Sequence, residues 1–223
     1  MADCLMSGLA LFSLKYPSLL KFDNDRADDI IQHNLRSLYG IRNVPCDTYL
    51  RERLDEVSPN LLRKTFSTLF AQVQRGNELT PFQFMDDHYL LSVDGTGYFS
   101  SHQVHCEHCC VKNHRDGSKT YYHQLLGAAL VHPNHSHVLP FAPEPILKQD
   151  GNKKNDCERE ASKRLLTDLR REHPHLKLIV IEDGLASNGP HIQLLTSLDM
   201  RFILGAKPKD HTFLFDWVEN STV

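Results

Sequence analysis

The amino-acid sequence predicts a mixed α/β sheet preceded by a helical region, on three observations. Up to about Gln74 apolar residues recur at helical spacing; after Gly76 the period shortens to that of strands; and Leu176-Lys177-Leu178-Ile179-Val180-Ile181 is nearly unbroken aliphatic, the pattern of a strand covered on both faces of a sheet. The change of period divides the chain into a helical N-terminal region, 1–80, and a sheet domain, 81–223.

In the helical region Leu5, Leu9 and Phe12 open the periodic pattern, and Leu61, Leu62, Phe66, Leu69 and Phe70 close it. Helix starts are marked at Asp25, at Cys46-Asp47-Thr48 after Pro45, and at Ser58-Pro59; stops are marked at Pro17, Gly40 and Gly76. These signals give four short helices with tight connections, a layout that suits a helix-turn-helix DNA-binding unit and equally a plain helical subdomain. Basic residues up to Arg75 number 10 against 9 acids, a net charge of +1.

In the sheet domain Tyr89-Leu90-Leu91-Ser92-Val93-Asp94 reads as a strand, Asp94-Gly95-Thr96-Gly97 as a turn and Tyr98-Phe99-Ser100-Ser101 as a second strand. A third strand fits 120–131. The segment 138–146 is an edge strand at most, because Pro140, Pro143 and Pro145 each remove a ladder donor. A helix follows over about 156–171, with Ala161, Leu165, Leu166 and Leu169 on one face, then the buried strand at 176–181, a helix at 188–198 and a strand at 201–206. Phe213, Phe215 and Trp217 read as part of a final strand.

Composition excludes the extreme classes. Hydrophobic residues make up 40% and charged residues 24%, and the net charge of -3 over 223 residues announces no polyanionic partner at whole-chain level. The apolar N-terminal stretch carries Asp3 where a secretory signal needs basic residues, and Lys15 and Pro17 interrupt it before about 20 apolar residues accumulate. The expectation is a cytoplasmic protein without membrane association. In a reducing compartment, 6 Cys and 14 His point to metal or redox chemistry before disulfides.

Two carboxylates stand out by position: Asp94 at the end of the first strand and Asp183 directly after the buried one. Residues just beyond strand ends are where α/β sheets bind ligands, so the two acids are expected to converge on one divalent cation. Mg²⁺ suits them, being a hard ion that takes one or two carboxylates, keeps several waters and bridges to phosphate. Each Asp-Gly pair is also an ordinary turn start.

The stretches Leu90-Leu91-Ser92-Val93-Asp94-Gly95-Thr96, Thr120-Tyr121-Tyr122-His123-Gln124, Ile179-Val180-Ile181-Glu182-Asp183-Gly184 and Phe202-Ile203-Leu204-Gly205-Ala206-Lys207 carry a family resemblance. The chain resembles the transposases of bacterial insertion sequences, over most of its length and most specifically over 89–207. The resemblance implies a ribonuclease H-like catalytic domain with a DDE triad of acids. It further implies Mg²⁺ or Mn²⁺ bound by Asp94 and Asp183, DNA strand cleavage and transfer, transposon ends as partner, and a homodimer when acting.

The triad's third acid is a Glu on a later helix. Glu219 lies 36 positions after Asp183 (219 minus 183), on a stretch read as having no helical pattern, so it is not taken as that residue. The chain is then expected to be an N-terminal portion of a transposase with two of the three ligands and doubtful activity. A non-catalytic DNA-binding remnant is the alternative. Asp156 and Glu158, which open the helix after the third strand, are a local source of a third acid, or simply cap that helix.

A separate cluster, His102, His105, Cys106, His108, Cys109, Cys110 and His114, lies between the second and third strands. Cys106-x₂-Cys109 has zinc-site spacing, and His114 follows at a distance that a knuckle can close. A fourth ligand would come from His102, His105, Cys110 or the distant His123. The rival reading is a zinc-stabilised binding module or hydrolase centred on 102–114. His132, His135 and His137 read as exposed loop residues. Lys207 and Lys209, just beyond a strand on the expected active-site edge, are candidates for phosphate contact.

Overall fold

The computed structural model describes residues 1–148 and 154–221, the side chains of the second segment from Glu158 onward. The chain divides into two units, Met1–Leu62 and Arg63–Val223. The helix over 63–75, which the sequence pattern groups with the N-terminal region, therefore belongs with the sheet.

The first unit is helical: α1 (Ala2–Ser13), α2 (Leu19–Asp25), α3 (Asp29–Tyr39) and α4 (Asp47–Asp55). Phe22, Leu35, Ile41 and Leu50 are almost wholly buried and form its centre. Local chemistry sets the ends. The Asp28 carboxylate accepts from the N–H groups of Ile30 and Ile31 at 2.9 and 3.0 Å and starts α3. Gly40, at φ +66°, ends it in the left-handed region that a side chain disfavours. The four helices expected up to Gln74 are five, counting α5 (Arg63–Arg75) of the second unit. The additional one is α2, started by the Ser18 hydroxyl accepting from the Lys21 N–H.

The second unit carries α5 and a seven-stranded sheet: β1 (Tyr89–Ser101), β2 (Cys110–Asn113), β3 (Lys119–His132), β4 (His135–Pro140), β5 (Glu144–Ile146), β6 (Leu178–Glu182) and β7 (Arg201–Leu204). Helices α6 (Lys154–Glu172), α7 (Gly189–Ser197) and α8 (Thr212–Asn220) complete it. The spine of the sheet is β3-β1-β6-β7. β1 runs antiparallel to β3 and parallel to β6, and β6 runs parallel to β7. The outer edge of β3 is lined in turn by β2, β5 and β4, all antiparallel to it. β3 alone thus opposes the other strands, and the connection back to β6 passes through α6. That arrangement is the ribonuclease H-like fold expected for the sheet domain.

Two elements differ from expectation. Asp94-Gly95-Thr96-Gly97 is not a turn: β1 runs through it without a break, pairing Asp94 with Gly127 and Gly97 with Gln124 before a bulge at Tyr98. The Asp-Gly signal is overridden because β3 supplies an unbroken partner along this stretch. The segment with Phe213, Phe215 and Trp217 is helix α8 rather than a strand, so Glu219 does lie on a helix. The segment 138–146 does form edge strands, with Pro140 ending β4, Pro145 inside β5 and the break at 141–143 containing Pro143, and His135 and His137 lie on β4 rather than in a loop.

The core lies between the sheet and α6. Leu91, Leu130, Leu165, Leu166 and Val180 are fully buried, and Ala161, Leu165, Leu166 and Leu169 form the inward stripe of α6. Charged groups tie the periphery. Arg63 at the start of α5 meets Glu172, Asp168 and Glu144 at 2.9, 3.4 and 3.5 Å, and Arg164 donates to Glu144 at 2.6 Å. Arg170 donates to the carbonyls of Leu176, Leu198 and Asp199 at 2.9, 2.7 and 3.0 Å, joining the approaches to β6 and β7.

The His173 ring packs against those of Phe70 and Phe141, at 4.4 and 5.3 Å, the three forming a compact triangle. Burial, outweighing the opposing effect of Glu172, holds its pKa below the ordinary imidazole value. The unfolded chain then binds a proton more readily than the folded one, so this contribution to stability is complete above about pH 6.5 and is lost as pH falls below it. Denaturant unfolding at descending pH should show that loss in the wild-type protein and a shallower one in His173→Phe.

Candidate functional site

The ladder between β1 and β6 places the two predicted acids. Tyr89 pairs with Leu178 and Ser92 with Ile181, and continuing that register by two residues brings Asp94 level with Asp183. Adjacent strands lie about 4.8 Å apart, so the two residues stand side by side where β6 ends and β1 continues alone beside β3. Both are exposed. Asp94 Oδ1 accepts from the Gly95 N–H at 2.8 Å, and Asp183 Oδ1 accepts from the Leu185 N–H at 2.9 Å. The second oxygen of each carboxylate has no hydrogen-bond partner among the described residues.

Glu158, in the first turns of α6, reaches the same place. Its carboxylate lies directly over Gly95: a Cβ built at position 95 would collide with Glu158 Oε1. Only glycine at 95 admits that approach, which gives the Asp-Gly pair a role unrelated to a turn. Asp94, Glu158 and Asp183 line one open cavity of about 700 Å³, together with Lys207, Asp210 and His211. The side chain of Asp156, the other acid named for this position, lies outside the described residues.

The remaining predicted residues are distributed as follows. Lys207 borders the cavity, and its side chain passes over Gly184; Lys209 is exposed and does not line it. Glu219 is exposed on α8 and does not line it either.

Behind the two aspartates sits a pair that sequence reasoning did not single out. Glu182, one residue before Asp183, accepts hydrogen bonds from His191 Nε2 and, at 3.1 Å, from the Ser162 hydroxyl, and borders a small cavity together with Asp94, Glu158 and Asp183. The Glu182 and His191 side chains are only 7% and 6% exposed. They tie β6 to α6 and α7 directly under the site. The only signal in the sequence was a carboxylate at the end of an aliphatic run, which reads equally as an exposed strand end.

The cysteine cluster is resolved differently from expectation. His114 lies beside the turn of the β2–β3 hairpin, with Nε2 2.7 Å from the Thr120 hydroxyl and its ring facing His102. Its place is taken by His123 of β3, whose Nε2 lies 3.3 Å from both Cys106 Sγ and Cys109 Sγ, with the two sulfurs 3.6 Å apart. Among the described residues this is the one group of three or more Cys, His or acidic side chains whose ligand atoms lie within 4.8 Å of one another. Cys110, by contrast, turns inward toward the Ile146 carbonyl. Burial raises the Cys109 thiol pKa and lowers that of His123.

No protein-family model matches the sequence, and no curated protein is similar to it. Among solved structures, the chain is similar to a pre-cleavage Mos1 transpososome over 92% of its own length and 72% of the other chain, with 10% identity and a TM-score of 0.27. It is also similar to the Mos1 mariner paired end complex with Mn, over 91% and 64%, with 12% identity and a TM-score of 0.28. The fold assignment rests on the strand order itself. No helix among the described residues is long and apolar enough to cross a membrane.

Removing His191 would leave Glu182 buried with Ser162 as its remaining side-chain partner. His191→Ala should lower the unfolding free energy by about 1–3 kcal/mol, with part of the loss recovered in His191→Gln, as measured by denaturant unfolding.

Proposed function

We propose that this chain is a transposase of the insertion-sequence type that binds DNA and, with Mg²⁺ or Mn²⁺, cleaves and transfers a DNA strand. The observation that carries the reading is the meeting of Asp94 and Asp183 across β1 and β6, with Glu158 held against Gly95 in the same open cavity. The donor set fits the cation. All three side chains offer carboxylate oxygens, the ligands that hard divalent ions prefer, and the cavity leaves room for waters and a phosphate.

Asp94 and Asp183 would hold the ion from adjacent strands, and Glu158 would add an oxygen from the helix above. Phosphoryl transfer of this kind would take two such ions, one supplying Lewis-acid activation of the attacking water or 3′-hydroxyl and the other stabilising the leaving oxygen. Lys207, at the border of the cavity, faces the phosphate with a positive charge. Asp94 and Asp183 are each oriented through one oxygen by a neighbouring backbone N–H; the ligand atoms of the three acids do not all lie within 4.8 Å of one another, so a bound ion would draw them together. The transposon end is the expected DNA partner, and a homodimer would bring two ends together.

The full chain incubated with supercoiled DNA should nick it in the presence of Mg²⁺ or Mn²⁺. Asp94→Asn and Asp183→Asn should each reduce the rate at least about 100-fold. Gly95→Ala should change the rate in the same direction as Glu158→Gln, because the added methyl displaces the Glu158 carboxylate. Metal-dependent nicking that persists undiminished in Asp94→Asn would end this reading.

In the helical unit Arg26, Arg36 and Arg42 surround a polar cavity of about 260 Å³. Arginines so grouped suit phosphate contact and support a role for this unit in holding DNA. The double variant Arg36→Ala/Arg42→Ala should weaken binding of all duplex sequences alike and reduce the slope of log affinity against log salt by about 2, read by fluorescence anisotropy.

A further inference from the structure

The group formed by Cys106, Cys109 and His123 stands apart from the carboxylate site. His123 pairs with Phe99 across β1 and β3, whereas Asp94 pairs with Gly127. Four to five residues of strand separate the two positions, about 15 Å at 3.3 Å per residue. The group therefore has no part in the chemistry proposed at Asp94 and Asp183.

Its dimensions are those of a tetrahedral metal site. Zinc–sulfur bonds of about 2.3 Å and zinc–nitrogen bonds of about 2.05 Å, at tetrahedral angles, require about 3.8 Å between sulfurs and about 3.6 Å from sulfur to nitrogen. The observed separations are 3.6 Å between the sulfurs and 3.3 Å from each sulfur to Nε2. All three atoms thus lie close to a common centre, drawn in by a few tenths of an ångström. We propose that Cys106, Cys109 and His123 bind a Zn²⁺ ion that ties the segment 102–109 to β3, with the fourth position open to water on the exposed Cys106 side.

Three features of the surroundings suit this assignment. Cys109 is buried, at 2% exposure, while Cys106 is exposed, so the ion would have one walled side and one open side. The Cys106 N–H donates to Cys109 Sγ at 3.3 Å, and the Cys109 N–H donates to the Cys106 carbonyl. The segment between the two cysteines is therefore already folded into a closed turn, and an N–H aimed at a sulfur stabilises a thiolate. His123 is held by the rings of Tyr98 and Phe99, at 5.9 and 5.8 Å, and the bulge at Tyr98 sets the register that presents it.

The role follows from the place. Beyond Gly97, β1 has lost its neighbour β6, and this end of the sheet is a ribbon of three strands, β1, β3 and β2. The segment 102–109 joins β1 to β2 with hardly any regular structure. A metal bridging that segment to His123 on β3 would fix it to the ribbon.

The test uses the full chain, purified under reducing conditions, with zinc and cobalt as the probes. After exposure to zinc and dialysis the wild-type protein should retain one equivalent. Co²⁺ should give the d–d bands of a tetrahedral ion and the near-ultraviolet charge-transfer absorption of two thiolates. Zinc should also slow alkylation of Cys106 without slowing that of Cys46, a readout that needs no variant. Cys109→Ser and His123→Gln should each weaken zinc binding more than about 100-fold, while His114→Ala and Cys110→Ser retain it. A reduced wild-type chain that retains less than about a tenth of an equivalent of zinc, and takes up Co²⁺ without thiolate absorption, would overturn the proposal. So would loss of zinc in His114→Ala with retention in His123→Gln.

Discussion

The parallel register of β1 and β6 is the constraint on which the candidate site depends. The two strands are separated by four further strands and a helix, so no local turn sets their alignment. It is set by burial: Leu91, Leu178 and Val180 are at most 1% exposed, and a slip of one residue would turn each of them to the other face. The same slip would take Asp94 away from Asp183. An aliphatic core thus holds two exposed, charged side chains in place without touching them. Arg170 reinforces the alignment from below, since its guanidinium gathers carbonyls from the segments that lead into β6 and β7.

β1 serves two environments in sequence. Its first half lies inside the sheet and is buried, while its second half runs out beside β3 and is largely exposed. Asp94 and Gly95 stand at the boundary, where the strand is still rigidly paired on one side and open on the other. A carboxylate there is held by the ladder yet reaches solvent, and the missing side chain at 95 lets α6 bring Glu158 down onto the strand. Farther out, the bulge at Tyr98 shifts the pairing so that His123 meets Phe99 and the cysteine turn.

Charge is partitioned between the interior and the cavity. Glu182 and Glu144 are buried with partners, His191 and Ser162 for the one, Arg63 and Arg164 for the other, and they join helices to strands. Such groups are costly to leave unpaired and therefore fix geometry. Asp94 and Asp183 are bound instead through one oxygen each to a neighbouring N–H, which orients them at little cost in burial. Adjacent residues thus take different parts: Glu182 is a buried strut, and Asp183 is exposed at the cavity.

The sequence by itself determined the class of fold and the order of nearly all its elements, because those are written in local terms: the period of apolar residues and the double-sided burial of 176–181. It also singled out Asp94 and Asp183 as acids at strand ends; Asp183 does follow β6 directly, whereas Asp94 lies within β1. It pointed to Cys106 and Cys109 for the same reason, two thiols three positions apart. Most of what it misread was decided by partners distant along the chain. The Asp-Gly-Thr-Gly run looked like a turn because its signal is local, and it became strand because β3 lay beside it. The segment after 211 looked like strand from its aromatic content and is helix α8, which has no buried residue, so no distant partner accounts for that difference. His114 looked like the partner of the two cysteines because it is close along the chain, and His123 stands beside them instead because pairing of β3 with β1 carries it there. Glu158 was read chiefly as a helix cap, and only the packing of α6 over Gly95 brought its carboxylate to the cavity. Spacing along the chain reports which residues are neighbours within one element; which elements are neighbours is settled by where the buried faces of the sheet and α6 meet.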